Sequence, residues 1–301
     1  LYVTGFVSGL FEGCIAVVYP DHLEVLSSAL EEESARKGGH EISVFKTKEE
    51  GEKILKEKLK GLSKIGINAD ELTHASYLKL EKASQAEFVD VSQAIQKARL
   101  IKDVDEIQRI KKACNIISEV ADDVPDLVRE GMSELELSAE LNYLMQKKGA
   151  SRPAFRTVVC FGKNASEPHH SSGGTKLRRG DFVLLDMGAE YERYVSDITR
   201  TYVFGEASPE QEKMYETVLE SQKIALDMLR DGIEARPVHS SVKEFLDSRY
   251  KGRFIHGLGH SIGLTVHDGG RMAIDSDLVL KKGMVFTVEP SVFNDKIGVF
   301  R

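Results

Sequence analysis

A chain of 301 residues can bury one large core or two ordinary ones, and 41% hydrophobic with 30% charged residues is the make-up of a water-soluble globular protein. A net charge of −7 argues against nucleic-acid binding through a broad basic face, and no apolar run reaches the roughly 18 residues needed to cross a bilayer. Cys14, Cys114 and Cys160 lie far apart with no CxxC pair, which argues against a disulfide framework or a thiolate zinc site and suits a reducing, cytoplasmic home.

The chain starts at Leu1 inside what reads as a strand and stops at Arg301 inside another, so both ends of the natural chain are expected to be missing. Over residues 1–92, short β-runs (CIAVVY, EISVF, KIGIN, EFVDV) alternate with helical stretches at 27–39 and 48–62, the first stopped by Gly38 and Gly39. That alternation predicts a small layered α/β domain with a partly parallel sheet. No glycine-rich phosphate loop follows any of its strands, which argues against a nucleotide site. Its Glu- and Lys-rich helices read as solvated faces.

Residues 93–149 are strongly helical. Ile101, Val104, Ile107, Ile110, Ile116 and Ile117 recur at helical spacing, a core stripe, and Ser133 with Glu136 forms a capping box for a second helix. The boundary falls at 93–100, giving domains 1–95 and 96–301. Beyond it the pattern returns to β: FRTVVCFG, the loop KNASEPHHSSGG, then the runs FVLLDMG and YVSDITRTYV. Two helices follow, beginning near Ser208-Pro209 and near Pro237. The remainder, through HGLGHSIGLTVH and MVFTVEPSVF, reads as strand and glycine-rich loop.

The hairpin carries the first chemical signal. With a four-residue connection at 190–193, Asp186 faces Asp197 across the strands, their Cβ atoms about 4.5–5.5 Å apart. Like charges among apolar neighbours need a shared proton or a bound cation. A different turn length would send the two aspartates to opposite faces.

Three of the nine histidines, His256, His260 and His267, fall in one glycine-rich stretch, and His169 and His170 are adjacent. Gly257, Gly259 and Gly263 each weaken a helix by about 1 kcal/mol, so this stretch is no ordinary helix. A lone histidine in such a place is more often a satisfied core residue; clustering beside carboxylates changes that. Glu289, embedded in VFTVEPSV, should be paired or metal-bound if ionised. Asp186, Asp197, His260 and Glu289 together make an oxygen- and nitrogen-rich, sulfur-free shell suited to Mn, Co, Fe or Zn.

The order of these residues, Asp-(x10)-Asp, HGLGH, TVEP, resembles the pita-bread metallopeptidases, in particular the prolidase (Xaa-Pro dipeptidase) and Xaa-Pro aminopeptidase branch. LYVTGF looks like that family's N-domain strand, and ARLIKDVDEIQRIKKA like its interdomain helix. The resemblance implies an α+β fold: a C-terminal pita-bread domain, a curved antiparallel sheet flanked by helices, after a smaller creatinase/prolidase-like α/β N-terminal domain. It implies two divalent ions, Mn or Co before Zn or Fe, holding a hydroxide that attacks the Xaa-Pro bond of a dipeptide. The implied metal ligands are Asp186, Asp197, His260 and Glu289, with Glu289 also carrying protons. His169 and His267 take catalytic roles, and His256 and Arg271 bind substrate, Arg271 receiving the terminal carboxylate. A homodimer is implied as well, with neither nucleic acid nor membrane as partner.

Departures are equally specific. Asp268 stands where Glu is usual and Gly270 where Pro is common. The family's fifth ligand is a glutamate in a Gly-Val-Arg-x-Glu strand; here Phe300 is at the arginine's place, Arg301 follows one position late, and the glutamate either lies further on or is altered. The alternatives are an Xaa-Pro aminopeptidase acting on longer peptides, a metal-free binding module on the same scaffold, and a metal-independent hydrolase like creatinase, the last opposed by the retained aspartate pair.

Overall fold

The computed structural model describes residues 2–167, 170–294 and 298–301. It divides into two compact units, Leu1–Ala98 and Arg99–Arg301.

The first unit holds β1 (Ile15–Val18), β2 (Leu23–Ser28), α1 (Glu32–Arg36), β3 (Glu41–Phe45), α2 (Lys48–Lys58), β4 (Lys64–Ile67), α3 (His74–Ala83) and β5 (Glu87–Asp90), with α4 (Ser92–Leu100) crossing its limit. β1 pairs antiparallel with β2, β2 parallel with β3, and β4 parallel with β5. Three expectations need correction. Tyr2–Thr4 is turn rather than strand. The helix read at 27–39 shrinks to the five residues of α1, because Ser27 and Ser28 complete β2, where Ser27 is fully buried between its two neighbours. The helix α3, with its Thr73 cap, was not anticipated.

The second unit opens on α5 (Val104–Leu127) and α6 (Glu134–Lys147). Both start with complete capping boxes, Asp103 with Glu106 and Ser133 with Glu136, each satisfying backbone donors that helix geometry orphans. Then come β6 (Arg152–Pro153), β7 (Val158–Phe161), β8 (Phe182–Met187), β9 (Ala189–Tyr191), β10 (Tyr194–Val195) and β11 (Ile198–Val203). The remaining elements are α7 (Pro209–Met228), α8 (Ala235–Asp247), β12 (Gly259–His260), β13 (Arg271–Met272), β14 (Val292–Asn294) and β15 (Gly298–Phe300).

β8 is the axis of this unit, paired antiparallel with β7 on one edge and β11 on the other. Its side chains alternate with the pleat. Val183, Leu185 and Met187 enter a core shared with Ile116, Val120, Leu137 and Leu141 of α5 and α6. Phe182 and Leu184 enter a second core with Met214, Val218, Val238 and Val242 of α7 and α8. Both faces are therefore covered by helices, which explains why FVLL reads as a continuous apolar run. Asp186 shares the parity of Phe182 and Leu184, so its carboxylate points to the face covered by α7 and α8.

The hairpin differs from expectation. Tyr191 pairs with Tyr194, so the connection is the two-residue turn Glu192-Arg193, both with positive φ (46° and 73°), rather than four residues. Such primed turns match the twist of the strands. The pairing slides by two residues: Asp186 faces Thr199, not Asp197. A slide of two keeps every side chain on its own face. Asp197 thus stays on the same face as Asp186, one diagonal step away. At the break between the paired segments, a Cβ on Gly188 would fall 2.1 Å from the Ser196 carbonyl oxygen, so only glycine allows this approach.

Candidate metal and catalytic site

Three extended segments run side by side, with the glycine-rich stretch in the middle. Leu258 N donates to Met272 O and Ser261 N to Gly270 O on one side; on the other, Thr287 N donates to His260 O and Glu289 N to Leu258 O. The strand expected over MVFTVEPSVF is regular only at Val292–Asn294. Its earlier part is an extended companion of residues 258–262, broken at Pro290, which has no N–H to give. Gly259 makes this approach feasible: a Cβ there would lie 2.0 Å from the Thr287 carbonyl oxygen. Gly259→Ala is accordingly expected to cost about 2–3 kcal/mol by overpacking, read as a lowered urea midpoint with unchanged slope.

This ladder brings His260 and Glu289 together and carries both to the hairpin. His260 Nε2 lies 3.4 Å from Asp197 Oδ2 and 3.2 Å from Glu289 Oε1. Thr287 Oγ1 donates to Glu289 Oε1 at 2.9 Å, and Thr199 Oγ1 to Asp186 Oδ1 at 3.0 Å. Arg301 bridges the remaining oxygens: its guanidinium pairs with Asp186 Oδ2, approaches Glu289 Oε2 at 3.6 Å, and donates from Nε to Thr199 Oγ1 at 2.8 Å. These side chains are 12–21% exposed, so the charges are largely withdrawn from water yet reachable.

The electrostatics are those of crowded carboxylates. Burial, then the nearby Asp197, raises the Asp186 pKa despite Arg301. Burial also opposes ionisation of Glu289, but His260 and Arg301 more than offset it and hold its pKa below the usual range. Burial opposes charge on His260 too, and the hydrogen bonds to Asp197 and Glu289 overcome this, pushing its pKa up to about 10. The imidazolium and the guanidinium are the positive charges that the cluster demands.

Among the described residues, no three such side chains are already arranged to hold a metal ion. The donor set nevertheless fits one. Two ligands sharing an ion at about 2.0–2.2 Å sit about 3.0–3.4 Å from each other, which is the spacing of Asp197 and Glu289 about the His260 nitrogen. A cation there would replace the His260 proton and relieve the same repulsion.

The other expected residues are spread around this centre. The His267 ring packs on that of His260, centroids 4.1 Å apart, and burial followed by His260 lowers its pKa. His256 donates from Nδ1 to Gly257 O, meets Ser291 Oγ through Nε2, and is kept neutral chiefly by burial beside Phe254 and Phe293. Arg271 is the cross-strand partner of His260, but its side chain is 66% exposed and pairs with Asp275, outside the cluster. His169 lies outside the described residues. Phe300 does not take an arginine's place: it is buried against Phe182 and Tyr215, and alternation along the strand puts Arg301 at the site. Sequence reasoning noted Arg301 only as an arginine one position late, and missed Thr199 and Thr287. Only parity with Asp186 and Glu289 could have signalled the two threonines.

Comparison with known proteins gives the family of the chain. Residues 108–301 match the model of metallopeptidase family M24, and residues 1–101 match the creatinase/prolidase N-terminal domain. The chain belongs to metallopeptidase family M24. It is 38% identical to an Xaa-Pro dipeptidase of Pyrococcus furiosus over 73% of this chain and 64% of that protein, so the match spans just under two thirds of the relative. It is also 38% identical to one of Pyrococcus horikoshii, over 81% of this chain and 70% of that protein. Among solved structures, an X-Pro aminopeptidase from Thermotoga maritima superposes with a TM-score of 0.93 at 30% identity, covering 100% of this chain and 86% of that one. The prolidase from Pyrococcus furiosus gives 0.90 at 34%, covering 99% and 87%. The second unit is thus the family's pita-bread domain, and an α/β N-terminal domain precedes it.

Proposed function

We propose that this M24 member hydrolyses the Xaa-Pro bond of dipeptides, with divalent ions held by Asp186, Asp197, His260 and Glu289. The observation that carries the reading is the convergence of Asp197 and Glu289 on the His260 nitrogen at ligand-to-ligand spacing. The prolidases at 38% identity support the substrate class.

Bound ions of this kind acidify a water and polarise the scissile carbonyl. The chain's own groups do the rest. Glu289, ionised at neutral pH, accepts the proton of the attacking water and passes it to the proline nitrogen as the C–N bond breaks. His267, its pKa lowered and its ring neutral, donates an N–H to the oxygen that gains charge. Arg271 exchanges Asp275 for the substrate's terminal carboxylate, and His256, neutral and fixed by Ser291, lines the proline side. His169 is assigned a catalytic role on sequence grounds alone. A pair of Mn or Co ions, a homodimer and a cytoplasmic home complete the reading; no described helix is long and apolar enough to cross a membrane.

Dialysis against a chelator is expected to abolish Xaa-Pro dipeptide hydrolysis, and Mn or Co to restore it with about two ions per chain by elemental analysis. Full activity in excess chelator would overturn the proposal. Cleavage of longer Xaa-Pro peptides in preference to dipeptides would favour the aminopeptidase reading, which the Thermotoga maritima structure supports.

A further inference from the structure

Beneath the loop joining His260 to His267 lies a buried ion cluster that the proposed chemistry does not use. The Asp268 side chain is 4% exposed and pairs with Arg99 through Oδ1 and with Lys102 Nζ through Oδ2, the latter at 3.3 Å. The Lys102 side chain is 1% exposed, and burial lowers its pKa in spite of Asp268. Its ammonium also donates to Ser261 Oγ at 3.1 Å and to Leu100 O at 3.4 Å. Ser261 directly follows His260 and Asp268 directly follows His267, and the Asp268 N–H donates to Ser261 O at 2.8 Å. Between them Thr265 Oγ1 donates to His267 O at 3.0 Å and receives Arg99.

We propose that Arg99, Lys102 and Asp268 are positioning residues that clamp the two ends of the 261–268 loop and so hold the His267 ring against His260. His260 has a second anchor, the backbone ladder on both sides of residues 258–262, whereas His267 hangs on the loop. An ion cluster this deeply buried is weak evidence of stabilisation, since desolvation offsets much of its attraction. Its rigidity at the base of a loop that presents a reacting group is the consequence that remains.

The inference rests on the peptidase reading for its kinetic consequence but not for its structural one. In Asp268→Asn, kcat for Xaa-Pro dipeptides is expected to fall on the order of 100-fold, as a misplacement of about 1 Å can cost. KM and Mn binding by calorimetry should stay within about threefold of wild type, because the ladder still holds His260. Lys102→Met and the double variant Lys102→Met/Asp268→Asn should show the same loss rather than its square, the mark of one unit. The double variant buries no lone Lys102 charge and carries the test if the single variant fails to fold. A crystal structure of either variant is expected to show the His260–His267 ring contact broken. A persisting contact, a kcat within threefold of wild type, or Mn binding lost in step with kcat would each overturn the clamp. An inactive wild type would instead count against the peptidase reading, leaving the ring contact to decide the clamp.

Discussion

Replacing Asp197 by alanine is expected to lower kcat/KM for Xaa-Pro dipeptides by about 1,000-fold or more, with the far-ultraviolet circular dichroism unchanged. On the proposed reading Asp197 is the carboxylate that both neighbours Asp186 and meets the His260 nitrogen. Its loss removes a metal ligand and, with it, several kcal/mol of transition-state stabilisation, each 1.4 kcal/mol being about tenfold in rate. Metal content should fall together with activity. The substitution is not expected to unfold the protein, because removing one of two crowded carboxylates relieves repulsion and the side chain ends no strand. Hydrolysis within tenfold of wild type, with metal retained, would sink the assignment.

The largest effect on stability is expected at Glu134, a residue with no exposed surface at the first position of α6. Its carboxylate accepts from Phe161 N (2.8 Å), Asn164 Nδ2 (2.7 Å), Gly173 N (2.8 Å) and His170 Nε2 (3.0 Å). It thereby ties the helix start to Phe161 and Asn164 on one side and to His170 and Gly173 on the other. Glu134→Ala orphans two backbone donors and leaves the half-buried His170 with Glu167 as its remaining carboxylate partner, which is expected to cost about 3–5 kcal/mol near pH 6. The pH dependence follows from the two partners. Burial opposes the Glu134 charge, but its hydrogen bonds, that of His170 foremost, lower its pKa, so its contribution is complete above about 4.5 and is lost as pH falls through the folded value. His170 is likewise desolvated, yet Glu134 and Glu167 raise its pKa, so its contribution is complete below about 6.5 and fades as pH rises through the folded value. Urea midpoints of wild type and variant should therefore differ most between about pH 4.5 and 6.5 and converge in stronger acid. An equal gap at pH 3 and pH 6 would refute the role given to the carboxylate charge.

Much of this protein was legible in its sequence because local rules suffice for it. The capping box at Ser133 and Glu136, the Ser208-Pro209 start of α7 and the strand EISVF appear where side-chain chemistry and period put them. The glycines of 257–263 excluded a helix, and the extended ladder is what they permit. The same side-chain types in the same order sufficed to place the chain among the pita-bread metallopeptidases, since ligand chemistry constrains residue identity more tightly than any fold does.

Tertiary structure decided what depends on long-range register. Sequence could not choose between a four-residue and a two-residue connection, because Glu192 and Arg193 carry no glycine to announce their positive φ. The slide by two that results replaced Asp197 by Thr199 opposite Asp186 while parity saved the site. β2 was hidden because its two terminal serines match a helix cap as readily as a strand end. The approach of residues 285–289 to 258–262, the arrival of Arg301 at the carboxylates, and the burial of Lys102 against Asp268 all join segments far apart in the chain. No periodicity records such contacts, because they are set by which faces the helices leave uncovered once both cores have closed.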